Sequence, residues 1–268
     1  MEYGAGRPQE GRRQRGRSGG GRRPQPGHVA PAVRYSCFHQ GIAEGAGADS
    51  GATLVAISPH LDDAVLGCAD LLAARQGAVV VTVTAGKPPP HPLTDWDRQC
   101  GFAESDDVIG ARRVEDEAAL AQLGCQAVWL DFLDRQYRDG KPPPQSGVAR
   151  AIEAILRDRA PKMIASPLGL SHPDHLVTAA ACLDVVRGKR AVTWIIYEDA
   201  IYRAINGATE EALARLKHQQ FALRPLEVSA AARKGAAIDC YSSQLKGLGE
   251  LVRDAYRPER YWSVIREA

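Results

Sequence analysis

The chain has 268 residues, of which 44% are hydrophobic and 25% charged, proportions ordinary for a globular protein that buries its own core. Its net charge of +2 hides an asymmetry, because residues 1–48 carry eight Arg against three Glu and leave the remainder acidic by three charges. That balance argues against a nucleic-acid-binding body, and no apolar run approaches the length of a membrane span.

Residues 1–48, rich in Gly, Arg, Pro and Gln, read as a disordered tail, because they offer too little apolar surface to offset the entropy of ordering. The Arg pairs at 12–13 and 22–23 are followed by no apolar stretch, which argues against an export signal. From residue 49 to 268 the pattern is that of one domain. Short apolar runs at Thr53–Ser58, Ala78–Thr84, Ala127–Phe132, Met163–Ser166 and Thr193–Tyr197 are nearly continuous, as suits strands of a parallel sheet buried on both faces. Helical patterns at 62–75, 106–123, 146–159 and 173–187 alternate with them, the second ending at the capping residue Gly124. The alternation predicts an α/β, Rossmann-like fold with a mostly parallel sheet flanked by helices. Residues 209–240 read as further helix with an extended stretch at 221–228, and Tyr261–Ile265 as a late strand. The six cysteines form no C-x-x-C pair and are read as reduced thiols of a cytoplasmic protein.

Two stretches, 86–105 and 133–146, are long for connections in such a fold. Both follow strands and therefore belong to the carboxyl edge of the sheet, where α/β folds bind ligands. They carry Trp96, Phe102 and Tyr137, aromatic residues that either line a site or pack the loops down.

The first strand-to-helix turn reads Ser58-Pro59-His60-Leu61-Asp62-Asp63 and lacks the glycines of a dinucleotide loop. His60 and Asp63, three apart on a first helical turn, can share one ion, which leaves Asp62 free to act as a base. Helix capping by the two aspartates is the plainer account of this turn alone. A second turn reads Ser171-His172-Pro173-Asp174-His175, with Pro173 suited to the first helical position. Both turns fall on the same sheet edge, and three protein ligands drawn from them would leave a coordination position open, as catalytic zinc sites do.

These residues resemble the PIG-L/LmbE family of zinc-dependent N-deacetylases. The family's H-P-D-D-E is matched at His60 to Ala64 with Leu61 and Ala64 as departures, and its H-P-D-H is matched at His172 to His175. Weaker echoes are Arg112-Arg113-Val114-Glu115 (R-x-x-E), Tyr197-Glu198-Asp199 (Y-E-D) and Tyr241-Ser242-Ser243-Gln244 (Y-x-S-Q). The resemblance implies that His60, Asp63 and His175 hold the metal, with zinc expected and iron(II) suited to the same donors. It implies Asp62 as general base, His172 as the stabiliser of the oxyanion or helper of the leaving amine, and Asp174 as the group that orients or charges His172. Arg112 and Asp134 fall where the family binds its sugar. The expected substrate is a small N-acetylated sugar or glycoside, with nucleic acid not expected and the oligomeric state left open. The rivals are an amidase acting on another acyl amide such as a thiol conjugate, an oxygenase using the same donor set, and a homologue that binds without catalysis.

Overall fold

The computed structural model describes residues 34–35, 54–189 and 191–265, so Cys37 and nearly all of the predicted tail lie outside the described residues. Among these residues eight strands form one sheet: β1 Arg34–Tyr35, β2 Leu54–Ser58, β3 Val79–Thr82, β4 Gln126–Trp129, β5 Met163–Pro167, β6 Thr193–Tyr197, β7 Ala222–Leu226 and β8 Tyr261–Ile265. Their order is β1-β4-β3-β2-β5-β6-β8-β7. The five strands from β4 to β6 run parallel, and β1, β8 and β7 are antiparallel additions at the two sides. The parallel sheet expected from the apolar runs is present. Within the predicted tail, Arg34 and Tyr35 pair with Trp129 and Val128 of β4.

Among the described residues, eight α-helices accompany the sheet: α1 Asp63–Ala73, α2 Asp95–Cys100, α3 Val108–Leu123, α4 Gln145–Arg159, α5 Pro173–Val186, α6 Ala208–His218, α7 Lys234–Ile238 and α8 Ser242–Leu248. Because successive strand residues point to opposite faces, the strands divide their side chains between two cores. Val55, Ile57, Val79 and Val81 face the layer built from α4, α5 and α6, with Ile152, Ile155, Cys182 and Leu216 buried against them. Leu54, Ala56 and Val80 face α1, α3 and α7, against Leu72, Leu120, Leu123 and Ile238. Each such side chain removed from water contributes about 1.5–3 kcal/mol, so the sheet is fixed between its helices on both sides. Gly124 ends α3 with φ 72°, a left-handed cap that a β-carbon would strain.

The long stretch at 86–105 is not all loop. Thr94 accepts from the Asp97 N–H while Asp97 accepts from the Thr94 N–H, and this reciprocal cap starts α2. The sequence signal, a Thr three residues ahead of an acid, is there but short. No described helix is long and apolar enough to cross a membrane.

What this topology does for function is place β2 beside β5, in parallel register from Leu54–Met163 to Ala56–Ala165. Strand order reverses between these two neighbours. The chain after β2 turns one way and the chain after β5 the other, opening a crevice beyond their carboxyl ends. The two His/Asp turns are the segments that leave β2 and β5.

Candidate active site

The turn after β2 is locked by its own backbone. Ser58 Oγ donates to the His60 carbonyl at 2.7 Å and accepts from the Ala64 N–H at 3.0 Å. The Pro59 carbonyl accepts from both the N–H and the hydroxyl of Thr84. Leu61, which stands in place of the motif's proline, is 1% exposed and packs on Ala85 and Trp129. The rigidity that a proline would give is thus replaced by burial. Ala64, the second departure, sits buried in the core, where an ionised glutamate would need a partner.

Asp62 occupies the N-cap position of α1, yet its carboxylate makes no cap hydrogen bond. No cap hydrogen bond therefore occupies this carboxylate. The Asp63 carboxylate instead receives the His60 N–H at 2.8 Å. At α5 the cap is His172, whose Nδ1 accepts from the Asp174 N–H at 3.3 Å. That bond leaves the ring proton on Nε2, so His172 presents a donor.

One Asp63 oxygen, Oδ2, lies 2.9 Å from His60 Nδ1 and 3.1 Å from His175 Nε2. Tetrahedral zinc ligands at about 2.0–2.1 Å from the ion lie roughly 3.3 Å from one another, close to these separations. His175 Nε2 is buried and has no hydrogen bond of acceptable geometry, although Asp63 Oδ2 is near it. On the far side of the ring, His175 Nδ1 is 2.5 Å from Asp199 Oδ1, and the other Asp199 oxygen accepts the Gly169 N–H. With Nδ1 held by Asp199, Nε2 is the ring atom that could give its lone pair to an ion beside Asp63, the arrangement of a carboxylate–histidine–metal triad. The donor set and its orphaned nitrogen fit a zinc ion. His172 also brings a nitrogen within 4.8 Å of ligand atoms on His60 and His175, so it borders the same centre.

His60 is held on its other nitrogen as well. Nε2 lies 3.1 Å from Asp174 Oδ2 and 3.8 Å from Asp134 Oδ2, and the Arg135 N–H secures the Asp174 oxygen. Asp174 therefore orients His60; the expected contact of its carboxylate with His172 is replaced by the backbone bond to Nδ1. The reason is the helix itself, since the α5 first turn carries the Asp174 side chain inward beneath His60, where it is fully buried.

Electrostatics follow from this crowding. Burial pushes the Asp62 carboxyl up, and Asp63 beside it pushes the same way; Arg112, His60 and His175 pull back, leaving it at about 7. Burial also acts upward on Asp63, but the His175 and His60 imidazoles overcome it and hold the carboxylate well below its usual range. Burial brings His172 down to about 4, helped by the neighbouring His60 and His175. Burial opposes the charge on His175 too, but Asp63 and Asp199 outweigh it and lift that imidazole to about 9. Asp62, Asp63, Asp134, Asp174 and Asp199 are all buried around two imidazoles and Arg112, so the pocket calls for a cation.

This centre opens into a cavity of about 410 Å³. Arg112 from α3 lines it while only 4% exposed, and its Nε has no hydrogen-bond partner. Asp134 lines it as well, though its carboxylate also caps the short 3₁₀ turn Arg135–Tyr137. Of the loop aromatics, Trp96 faces the cavity. Tyr137 donates to Asp97 at 2.9 Å and stacks near His91, which packs the two loops together. Gly247 of α8 allows the Trp96 placement, because a β-carbon there would stand 2.6 Å from Cys100 Sγ and 3.0 Å from the Trp96 ring.

Three further residues belong to the site, beyond those whose role was legible in the sequence. Asp199 lay in the Y-E-D echo, which signalled the residue but not its service to His175. Tyr202 sets its ring 4.7 Å from the His175 ring and 5.8 Å from that of His172. Ile201, in the cavity wall, adopts φ 62°, a conformation that costs a β-branched residue about 1–3 kcal/mol. It is held there because its N–H and the Arg203 guanidinium share Asp254 Oδ2, at 2.8 and 2.6 Å.

A His–Asp–His cluster with an uncapped buried carboxylate beside it, at the switch point of a parallel sheet, suits a metal-dependent hydrolase. Residues 55–186 match the PIG-L family, described as GlcNAc-PI de-N-acetylase. A deacetylase triple mutant involved in the teicoplanin biosynthetic pathway superposes with a TM-score of 0.65 at 30% identity, covering 80% of this chain and 98% of that one. The A40926 pseudoaglycone deacetylase gives 0.62 at 28% identity, with 81% and 98% covered. A zinc-inhibited form of teicoplanin deacetylase gives 0.66 at 26% identity, with 80% and 98% covered. No curated protein matches the chain by sequence. The chain belongs to the PIG-L family and is a hydrolytic N-deacetylase.

Proposed function

We propose that the chain hydrolyses the acetamido group of an N-acetylglucosaminyl-type sugar or glycosylated natural product, giving acetate and a free amine. The observation that carries this reading is His175 Nε2, buried and bare beside Asp63 while Asp199 fixes the opposite face of the ring. The match to the GlcNAc-PI de-N-acetylase family supports the sugar-bearing substrate, and the likeness to a deacetylase of the teicoplanin pathway and to the A40926 pseudoaglycone deacetylase supports a natural product as its carrier.

His60 through Nδ1, Asp63 and His175 through Nε2 would hold the ion. A bound divalent metal supplies Lewis acidity and brings the pKa of water down from 15.7 towards about 7. Asp62, free of any capping bond, takes the proton of the attacking water and returns it to the departing nitrogen. His172 donates Nε2–H to the oxygen that gains charge, a contact worth about 3–4 kcal/mol in comparable sites. Asp174 and Asp199 hold the two metal-binding imidazoles in place. Arg112, Asp134 and Trp96 line the cavity in which the sugar would sit, with the Trp96 ring suited to an apolar sugar face.

The test is release of free amine from a panel of N-acetylglucosaminides by metal-stripped and metal-restored enzyme, with metal content measured alongside. Zinc and iron(II) are restored separately, since a relative is inhibited by zinc. Asp62→Asn should keep the metal and lose about 10²–10⁴-fold in turnover, whereas His175→Ala should lose the metal. Full activity of Asp62→Asn, or no amine from any substrate with either metal, would refute the reading.

A further inference from the structure

Two of the weaker sequence echoes, R-x-x-E on α3 and Y-x-S-Q at the start of α8, meet in space. Glu115 receives three hydrogen bonds from the head of α8: Ser242 Oγ to Oε1 at 2.7 Å, the Ser243 N–H to Oε1 at 2.8 Å, and Ser243 Oγ to Oε2 at 2.6 Å. A carboxylate oxygen only accepts, so the Ser243 hydroxyl proton is committed to Glu115. Ser243 Oγ therefore turns lone pairs to its next neighbour, Gln244, 2.9 Å away.

Only the amide nitrogen of Gln244 can answer a lone pair. This settles which way the side-chain amide faces, a choice that hydrogen-bond networks decide. The nitrogen donates to Ser243 Oγ, and at 3.7 Å it also meets Cys100 Sγ. Both amide protons thus have partners. The carbonyl oxygen, Oε1, accepts no hydrogen bond from the described residues, although the residue is only 1% exposed. Gln244 lines the catalytic cavity, and with both amide protons engaged the oxygen is the polar atom it has left for a ligand there.

We infer that Gln244 is a specificity-determining residue: Oε1 is an obligate acceptor for one ring hydroxyl of the substrate sugar, with its polarity set by the chain Glu115–Ser243–Gln244. The inference rests on the sugar substrate proposed above and deepens it. The same wall carries Arg112, which can only donate, and Trp96. A donor, an acceptor and an aromatic face in one wall suit a pyranose, whose hydroxyls give and take hydrogen bonds and whose C–H face is apolar. Arg112 and Glu115, three residues apart on α3, thereby serve one subsite, the first from the cavity side and the second through α8.

The experiment compares wild type, Gln244→Ala and the near-isosteric Gln244→Met on methyl N-acetylglucosaminide and its 3-, 4- and 6-deoxy analogues. It reads kcat/KM for amine release and the dissociation constant of each compound, with thermal unfolding as the check on folding. On the fully hydroxylated sugar both variants should lose about 5- to 100-fold. On one deoxy analogue they should equal wild type, because the hydroxyl that Gln244 receives is gone. Glu115→Gln should show the same analogue pattern with a smaller loss. Unchanged activity in both Gln244 variants, or a loss equal on all analogues, would overturn the assignment, the latter marking a purely structural role. A wild type that binds these sugars with the Gln244-dependent pattern but releases no amine would overturn the deacetylase reading alone. A wild type that neither binds nor cleaves any of them would overturn both.

Discussion

Asp199→Ala is the most direct probe of how the metal centre is built. The substitution removes the acceptor 2.5 Å from His175 Nδ1 and the acceptor of the Gly169 N–H, at 2.9 Å, while replacing none of the proposed ligands themselves. Two consequences follow at different magnitudes. Leaving two buried donors unsatisfied costs about 1–3 kcal/mol each, so the fold should lose roughly 2–6 kcal/mol in urea denaturation. The His175 ring, freed from the carboxylate, no longer keeps its proton on Nδ1, and outer partners of this kind are typically worth 10–100-fold in metal affinity. A chelator-competition titration should therefore show metal binding weakened by that factor, with the wild-type rate recovered in part at saturating metal. Asp199→Asn, which can still accept from Nδ1–H, should fall between. An unchanged metal dissociation constant in Asp199→Ala would refute the triad, whatever the stability change.

Leu61→Ala tests whether burial has replaced the missing proline, and the loss of a side chain packed on Ala85 and Trp129 should cost about 2–5 kcal/mol in stability. Equal stability of the variant would show that the turn does not depend on that contact. Asp116 gives a pH signature distant from the metal ligands. Burial lifts its carboxyl to about 6, against the opposing hydrogen bonds from Trp129 and Tyr241. A folded pKa above the unfolded one means that stability from this group is full below about pH 4 and is lost as pH rises through 6. Relative to wild type, Asp116→Asn should therefore gain roughly 2 kcal/mol between pH 4 and pH 7. Parallel stability curves across that range would contradict the shift.

The strands and most long helices were legible because their signals are local. Runs such as Val79–Thr82 have no polar face, which parallel strands buried on both sides do not need. Tyr261–Ile265 was read to the residue. α2 and α8, of six and seven residues, were not read as helices, since so few turns give the apolar period too little length to register. The pairing of Arg34–Tyr35 with β4 was missed for a different reason, because an edge strand of two residues has no pattern of its own.

By itself the sequence determined the chemical types at the centre. Imidazoles and carboxylates three apart at helix starts follow from local spacing, and local spacing is written in the chain. Only the tertiary structure decided which partner each group serves. Asp174 turned to His60, Asp199 came from β6 to hold His175, and Glu115 on α3 reached the head of α8 to set the Gln244 amide. Those choices depend on strand order and helix packing, which join residues 24 to 128 positions apart in the chain. No periodicity encodes such distances; the crevice between β2 and β5 does.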